Sequence, residues 1–153
     1  MIRRLARIAV VFAIAMAMGT AGTAQALVVI PLLVLKSKRG GTLALAPVEI
    51  HSHRYLFVVD TGAEYSVIQT RAARQLHLKA FGKQIKSRGV GTGVGRFVHV
   101  SNWAIGPQPL PNSIAIRENL KLPRRVGGLL GSDVLSKFGA FYINYANGTL
   151  VLP

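Results

Sequence analysis

The chain has 153 residues, enough for one domain, and half of them are hydrophobic, so a packed core is available and disorder is a poor reading. It contains no cysteine, which excludes a disulfide framework, a thiolate metal site, a cysteine nucleophile and a lipid-modified cysteine. Its 19 Lys and Arg against 5 Asp and Glu attract polyanions and leave any carboxylate chemistry to Glu49, Asp60, Glu64, Glu118 or Asp133.

Residues 1–26 read as a secretory signal peptide. Arg3, Arg4 and Arg7 form a basic head, Ile8 to Met18 an apolar stretch of the right length, and Ala24-Gln25-Ala26 a small-x-small cleavage site. The expectation is an exported protein, periplasmic or extracellular. The competing reading is a retained, membrane-tethering anchor, because Leu27 to Leu35 is apolar again and Gly22 and Pro31 only interrupt it. Loss of the three arginines leaves 16 basic against 5 acidic residues, a net charge of +11. Residues 27–42 are then an N-terminal extension and residues 43–153 the domain proper.

From residue 27 onward the hydrophobic period is mostly two, and sixteen Gly with seven Pro favour short strands joined by turns. Leu43, Leu45 and Val48-Glu49-Ile50 lead into the polar turn His51-Ser52-His53-Arg54, and Tyr55 to Val59 returns as a β-branched and aromatic strand. Val67 to Leu78 fits a short amphipathic helix or an irregular strand and turn. Gly89 to Val100 reads as a Gly-rich turn running into the strand Phe97–Val100. Ser132 to Phe138 is a short helix. Phe141–Tyr145 and Thr149–Leu152 flank Ala146-Asn147-Gly148, and Asn-Gly is a strong hairpin turn.

The segment richest in chemistry is Phe57-Val58-Val59-Asp60-Thr61-Gly62-Ala63. A carboxylate at the end of a buried strand is costly unless its oxygens find donors. Thr61 offers a hydroxyl, and Gly62 lets a backbone N–H come close. On these residues alone, an acid held for acid–base work and an ordinary Asx turn ending a strand are equally good readings.

A wider pattern separates them. The run YLFVVDTGAEYSVI resembles the catalytic loop of retropepsin-like aspartic proteases, and Gly128-Leu129-Leu130-Gly131-Ser132-Asp133-Val134-Leu135 resembles their second motif, an apolar pair and a Gly before a short helix. Trp103-Ala104-Ile105-Gly106, Leu110-Pro111-Asn112-Ser113 and the closing FYINYANGTLVL are similar to bacterial members, so the likeness spans about residues 43 to 152. Gly127 and Asn144 depart from it, standing where relatives often carry acids.

The resemblance implies a mostly β, closed acid-protease barrel with one short helix near the C-terminus, working as a homodimer on polypeptide substrates. This chain carries one Asp-Thr-Gly, so a second Asp60 must come from a twofold partner, with Thr61 bracing the two loops, Gly62 leaving room for water and substrate, and Ala63 completing the signature. No metal or cofactor is implied. Gly131 and Asp133 are expected to be structural, the acid serving the helix N-terminus. A lid is expected from the stretch SRGVGTGVGR, with Gly89, Gly91, Thr92, Gly93 and Gly95 as its mobile part; a plain loop and a phosphate cradle are the other readings, the last weakened because a strand-like FVHV follows rather than a helix. Glu64 is expected at the surface or beside an Arg, His51 and His53 in a solvated turn rather than a metal site, and Trp103 in the core. The main alternative is the same fold kept as a binding or scaffold module that docks to an anionic envelope or polymer through its basic patches. A nucleic-acid partner is not expected, since no such motif is present.

Overall fold

The alternation legible in Thr42–Ile50 sends Ala44, Ala46, Val48 and Ile50 to one side of a strand and Leu43, Leu45, Pro47 and Glu49 to the other, and the whole molecule is laid out on these two sides. A computed structural model describes residues 27–38, 40–89 and 91–153, with backbone only for 87–89, 91 and 92. Residues 1–26, read from the sequence as a signal peptide, lie outside the described residues. No helix among the described residues is long and apolar enough to cross a membrane.

The strands are β1 (Val28–Pro31), β2 (Leu33–Lys36), β3 (Thr42–Ile50), β4 (His53–Val59), β5 (Val67–Gln69), β6 (Ala80–Gly89), β7 (Gly91–Val100), β8 (Trp103–Ile105), β9 (Gln108–Leu110), β10 (Ser113–Glu118), β11 (Val126–Leu130), β12 (Tyr142–Asn144) and β13 (Thr149–Leu152). Two short helices interrupt them, α1 (Thr70–Gln75) and α2 (Ser132–Leu135), the second continued by a 3-10 turn over Ser136–Phe138. The larger sheet runs β6-β7-β10-β5-β11-β4-β3-β8-β9, with β2 added on β3; the smaller is β1-β13-β12. The fold is mostly β, as expected. Among the described residues no ladder joins the end strands β6 and β9, so the larger sheet is a strand path with two ends.

Residues 28–36, read from the sequence as an extension, supply two strands. β1 pairs antiparallel with β13 at the far end of the chain, and Ile30 is fully buried. The segment Val67–Leu78 is both things its pattern allowed, β5 followed directly by α1. Gly91 to Gly95, read from the sequence as part of a turn, are strand. They belong to a long hairpin, β6 against β7, with Ile85 opposite Gly95 and Gly89 opposite Gly91; Val90 is outside the described residues. The last hairpin forms around Asn147-Gly148 as expected; its loop covers Tyr145–Gly148 and is closed by Asn144, whose Oδ1 accepts from the N–H groups of Ala146 and Asn147 at 3.0 Å each. That double contact explains Asn144 as a turn former.

The main core gathers Val48, Ile50, Phe57, Ile68, Val98, Trp103, Ile105, Leu130, Leu150 and Leu152. Trp103 is in it, its indole N–H donating to the Pro111 carbonyl at 2.8 Å. On the other side of β3 and β4 a smaller cluster holds Leu45, Val58 and Val126, with Leu56, Leu122 and Leu129 half-buried against it. The 119–125 segment covers this cluster and is tied down twice. Arg71 of α1 donates to the carbonyls of Pro123 and Val126 at 2.6 and 2.8 Å, and the buried Gln69 accepts from the Leu120 N–H at 3.1 Å.

Candidate active site

Asp60 leaves the end of β4 exactly where β11 runs beside it in parallel, Leu130 standing opposite Val59. The Asp60 N–H donates to the Leu130 carbonyl at 2.9 Å, so the first residue of the loop is still held by the sheet. The chain then turns at once: the Ala63 N–H returns to the Asp60 carbonyl at 3.2 Å, and the Gly62 N–H donates to Asp60 Oδ1 at 3.0 Å. Of the two donors expected for this carboxylate, the glycine amide is in place and the Thr61 hydroxyl is not. Among the described residues Oδ2 of Asp60 accepts no hydrogen bond, and the side chain is half-buried at the surface with Thr61 and Gly62 exposed beside it. A Cβ on Gly62 would stand 3.3 Å from Asp60 Oδ1, so glycine keeps that oxygen open.

The loop is clamped from below by the second motif. The Ser132 N–H and hydroxyl both donate to the Ala63 carbonyl, at 2.8 and 3.0 Å, and the Asp133 N–H to the Glu64 carbonyl at 3.3 Å. Asp133 Oδ1 accepts in turn from the N–H and the hydroxyl of Ser66, each at 2.8 Å, while Ser66 Oγ accepts from the Gly131 N–H at 3.0 Å. Thus Asp133 does not cap its own helix, as its position at the start of α2 suggested; it reaches 67 residues back along the chain to fix the far end of the catalytic-type loop. Its second oxygen is buried without a partner among the described residues.

Gly131 permits this contact: an added Cβ would lie 2.6 Å from the Tyr65 carbonyl carbon and 2.8 Å from the Ser66 nitrogen. Gly127 is explained in the same way. A side chain there would meet Tyr55 Cβ at 2.6 Å and Phe57 Cε2 at 2.7 Å, so no acid fits at this position. Neighbouring Tyr55 donates its hydroxyl to Gln75 Oε1 at 3.1 Å, and burial pushes that phenol above its ordinary range.

The structure therefore brings Asp60, Thr61, Gly62, Ala63, Gly131 and Asp133 into one knot. The glycines 89, 91, 93 and 95 and Thr92 belong to the hairpin instead. The hairpin touches the knot at its root, where the Tyr65 and Phe97 rings meet edge to face at 5.8 Å and Phe97 continues to Phe81 at 6.0 Å. Gly95 is a packing residue, since a Cβ would overlap Ile116 Cγ2 on β10. Glu64 is exposed, and the ion pair among the described residues joins Arg54 to Glu49 at 3.1 Å. His51 and His53 sit in the β3–β4 turn, His53 Nδ1 lying 3.0 Å from the His51 carbonyl. The residue that sequence reasoning missed is Ser66. Its signal was a hydroxyl at the entry of an apolar strand, paired with the one acid of the second motif, but nothing in the sequence joins two residues so far apart.

Residues 46–134 match a family model described as aspartyl protease. The fold is similar to that of a retropepsin-like aspartic protease from Rickettsia conorii, with a TM-score of 0.56 and 20% sequence identity over 83% of this chain and 89% of that one. The matched stretch begins in β3 and ends within α2, so it contains the Asp60 loop and the motif that clamps it.

Proposed function

The chain belongs to the retropepsin-like aspartyl proteases, and from that premise we propose that it is an endopeptidase whose catalytic pair is Asp60 from each of two copies. The observation that carries the reading is the state of the Asp60 carboxylate. It is rooted in the sheet, Oδ1 is held by one backbone amide, and Oδ2 is open toward the surface. With one Asp-Thr-Gly in the chain, the second carboxylate comes from a twofold-related copy.

Two carboxyl groups brought together do not both ionise, so the pair shares one proton. The ionised Asp60 takes a proton from a water lying between the two as the water oxygen attacks the scissile carbonyl carbon. The protonated Asp60 donates a hydrogen bond to the carbonyl oxygen as charge develops there. Collapse of the tetrahedral species breaks the C–N bond, and the proton gathered from water goes to the leaving nitrogen. The β6–β7 hairpin serves as the lid that excludes water from this step, a role supported by its root contact through Tyr65 and Phe97.

The test is cleavage of a denatured protein mixture from acidic to neutral pH, wild type beside Asp60→Asn. The substitution keeps the size of the side chain and removes its acid–base function. We expect kcat/KM to fall by roughly 100- to 10,000-fold, the range for loss of general acid–base catalysis. Equal cleavage by the two proteins would sink the reading.

A further inference from the structure

The smaller sheet, β1-β13-β12, is apolar on both of its faces. Inward, Ile30 and Leu150 lie opposite each other and fully buried, with Ile143 packed beside them. Outward, the neighbouring row runs straight across the three strands, Val29 opposite Val151 and Val151 opposite Tyr142. Val29 is 58% exposed, Tyr142 62%, and Leu27, one residue before β1 and in step with Val29, 67%. Tyr145 follows in the loop after β12, 51% exposed. An antiparallel sheet with one face on the core ordinarily turns polar side chains to water, yet this row has no charged member.

Two features of the chain identify what covers the row. The first is continuity. No charged residue stands between Arg7 and Lys36, so the apolar run Ile8 to Met18 and the strand β1 belong to one uncharged stretch. β1 and β2 commit residues 28–31 and 33–36 to sheets, with Ile30 in the core, so a membrane-held segment must end before them. A bilayer that holds the preceding residues therefore meets the folded protein at Leu27, on the edge of the row. The second is charge. None of the five acids stands before Glu49 or after Asp133, so β1, β2, β12 and β13 carry none. The cations of the same segments, Lys36, Lys38 and Lys137, are exposed. Anionic headgroups attract such a surface, and tyrosine rings settle where headgroup meets acyl chain.

We propose that the outward face of the β1-β13-β12 sheet lies on a bilayer bearing anionic phospholipid, with Leu27, Val29, Tyr142 and Tyr145 as its apolar contacts and residues 1–26 as a retained tether. The proposal does not depend on the chemistry at Asp60. It adds a place of action, because a chain seated in this way meets its substrates at a membrane surface. A protein partner is the other way to cover an apolar row, but it requires neither an uncharged approach from Ile8 onward nor terminal strands free of acids. A lipid surface accounts for both.

Because the chain has no cysteine, a single thiol places one probe. Val29→Cys, Tyr142→Cys and, as an exposed control on β10 of the larger sheet, Ile114→Cys are made separately in the full chain. Each is labelled with an environment-sensitive fluorophore, its fold is checked by circular dichroism, and it is mixed with vesicles of phosphatidylcholine alone or with phosphatidylglycerol, with and without brominated acyl chains. Residues 1–26 would hold the chain on a vesicle in either case, so the readout is local. An interfacial apolar face sinks about 5–10 Å into the boundary of headgroup and acyl chain. Emission from positions 29 and 142 is therefore expected to shift to the blue and to be quenched roughly twofold or more by brominated lipid, most strongly with phosphatidylglycerol, while position 114 is unchanged. Protein that stays off the vesicles, or binds them with positions 29 and 142 unquenched or with position 114 quenched as much, overturns the docking face. A blue shift at position 142 before vesicles are added assigns the row to a protein contact, a second copy included, and overturns it too. Equal quenching with and without phosphatidylglycerol overturns the choice of an anionic surface.

Discussion

The contact that decides the geometry of the site is made by Ser66 and Asp133. One serine hydroxyl accepts from Gly131 and donates to Asp133, whose Oδ1 also takes the Ser66 N–H, so three polar groups depend on each other in a part-buried place. Removing one member of such a set strands the rest, and a stranded buried group costs about 1–3 kcal/mol. Ser66→Ala leaves the Gly131 N–H without its acceptor and takes one donor from Asp133. Asp133→Ala frees both Ser66 donors, whereas Asp133→Asn keeps an oxygen to accept them. We therefore expect urea denaturation to rank Asp133→Ala as the more damaging of the two Asp133 changes, with Ser66→Ala lower than wild type by about 1–3 kcal/mol. Equal losses for Asp133→Ala and Asp133→Asn would mean that the negative charge, not the acceptor, matters. Sequence reasoning placed Asp133 at a helix start and assigned it to that helix, since capping is a local signal. The true partner lies across the sheet, and its choice depends on a register that no local pattern specifies.

Among the elements, β11 and β7 show how one residue type does two jobs. Gly128 faces backbone: an added Cβ would run into the Val67 carbonyl of β5, which cannot move without breaking the β5–β11 ladder. Gly95 faces the tip of a side chain, Ile116 Cγ2, although the Arg117 carbonyl is also near at 3.1 Å. Gly128→Ala should therefore lose the folded state, read as loss of the thermal transition. Gly95→Ala should fold with a modest penalty, about 1–3 kcal/mol for local overpacking, and lose cleavage because the hairpin no longer seats on β10. Matching melting behaviour for the two would contradict this division. The same strands mark what was legible. β4 and the turn at Asp60, the α2 segment and the final hairpin could be read because alternation, Asp-Thr-Gly and Asn-Gly act within a few residues. β6 could not, since Lys83, Gln84, Lys86, Ser87 and Arg88 hide its alternation, and the Gly-rich first part of β7, before the strand read at Phe97–Val100, was taken for a turn because glycine is a poor strand former. β1 was read as an extension because its partner, β13, lies at the other end of the chain.

At the scale of the whole molecule, charge opposes the assembly that the proposed dyad requires. Each copy carries +14, or +11 without Arg3, Arg4 and Arg7. Exposed cations include Lys36 on β2, and Lys121, Arg124 and Arg125 in the segment over the smaller cluster. Repulsion between two strongly basic bodies is long-ranged at low salt, where the screening length is about 30 Å at 0.01 M, and it shrinks with that length to about 8 Å at 0.15 M. Repulsion should therefore win, so added salt ought to tighten the dimer. With an uncharged peptide substrate at fixed submicromolar protein, specific activity is expected to rise several-fold from 0.01 to 0.3 M salt, and the protein concentration giving half-maximal specific activity to fall by the same factor. Salt acting on chemistry alone would raise activity without moving that concentration. A shift in the opposite direction would show that local attractions between copies outweigh the net charge, and specific activity independent of protein concentration would remove the need for a second copy.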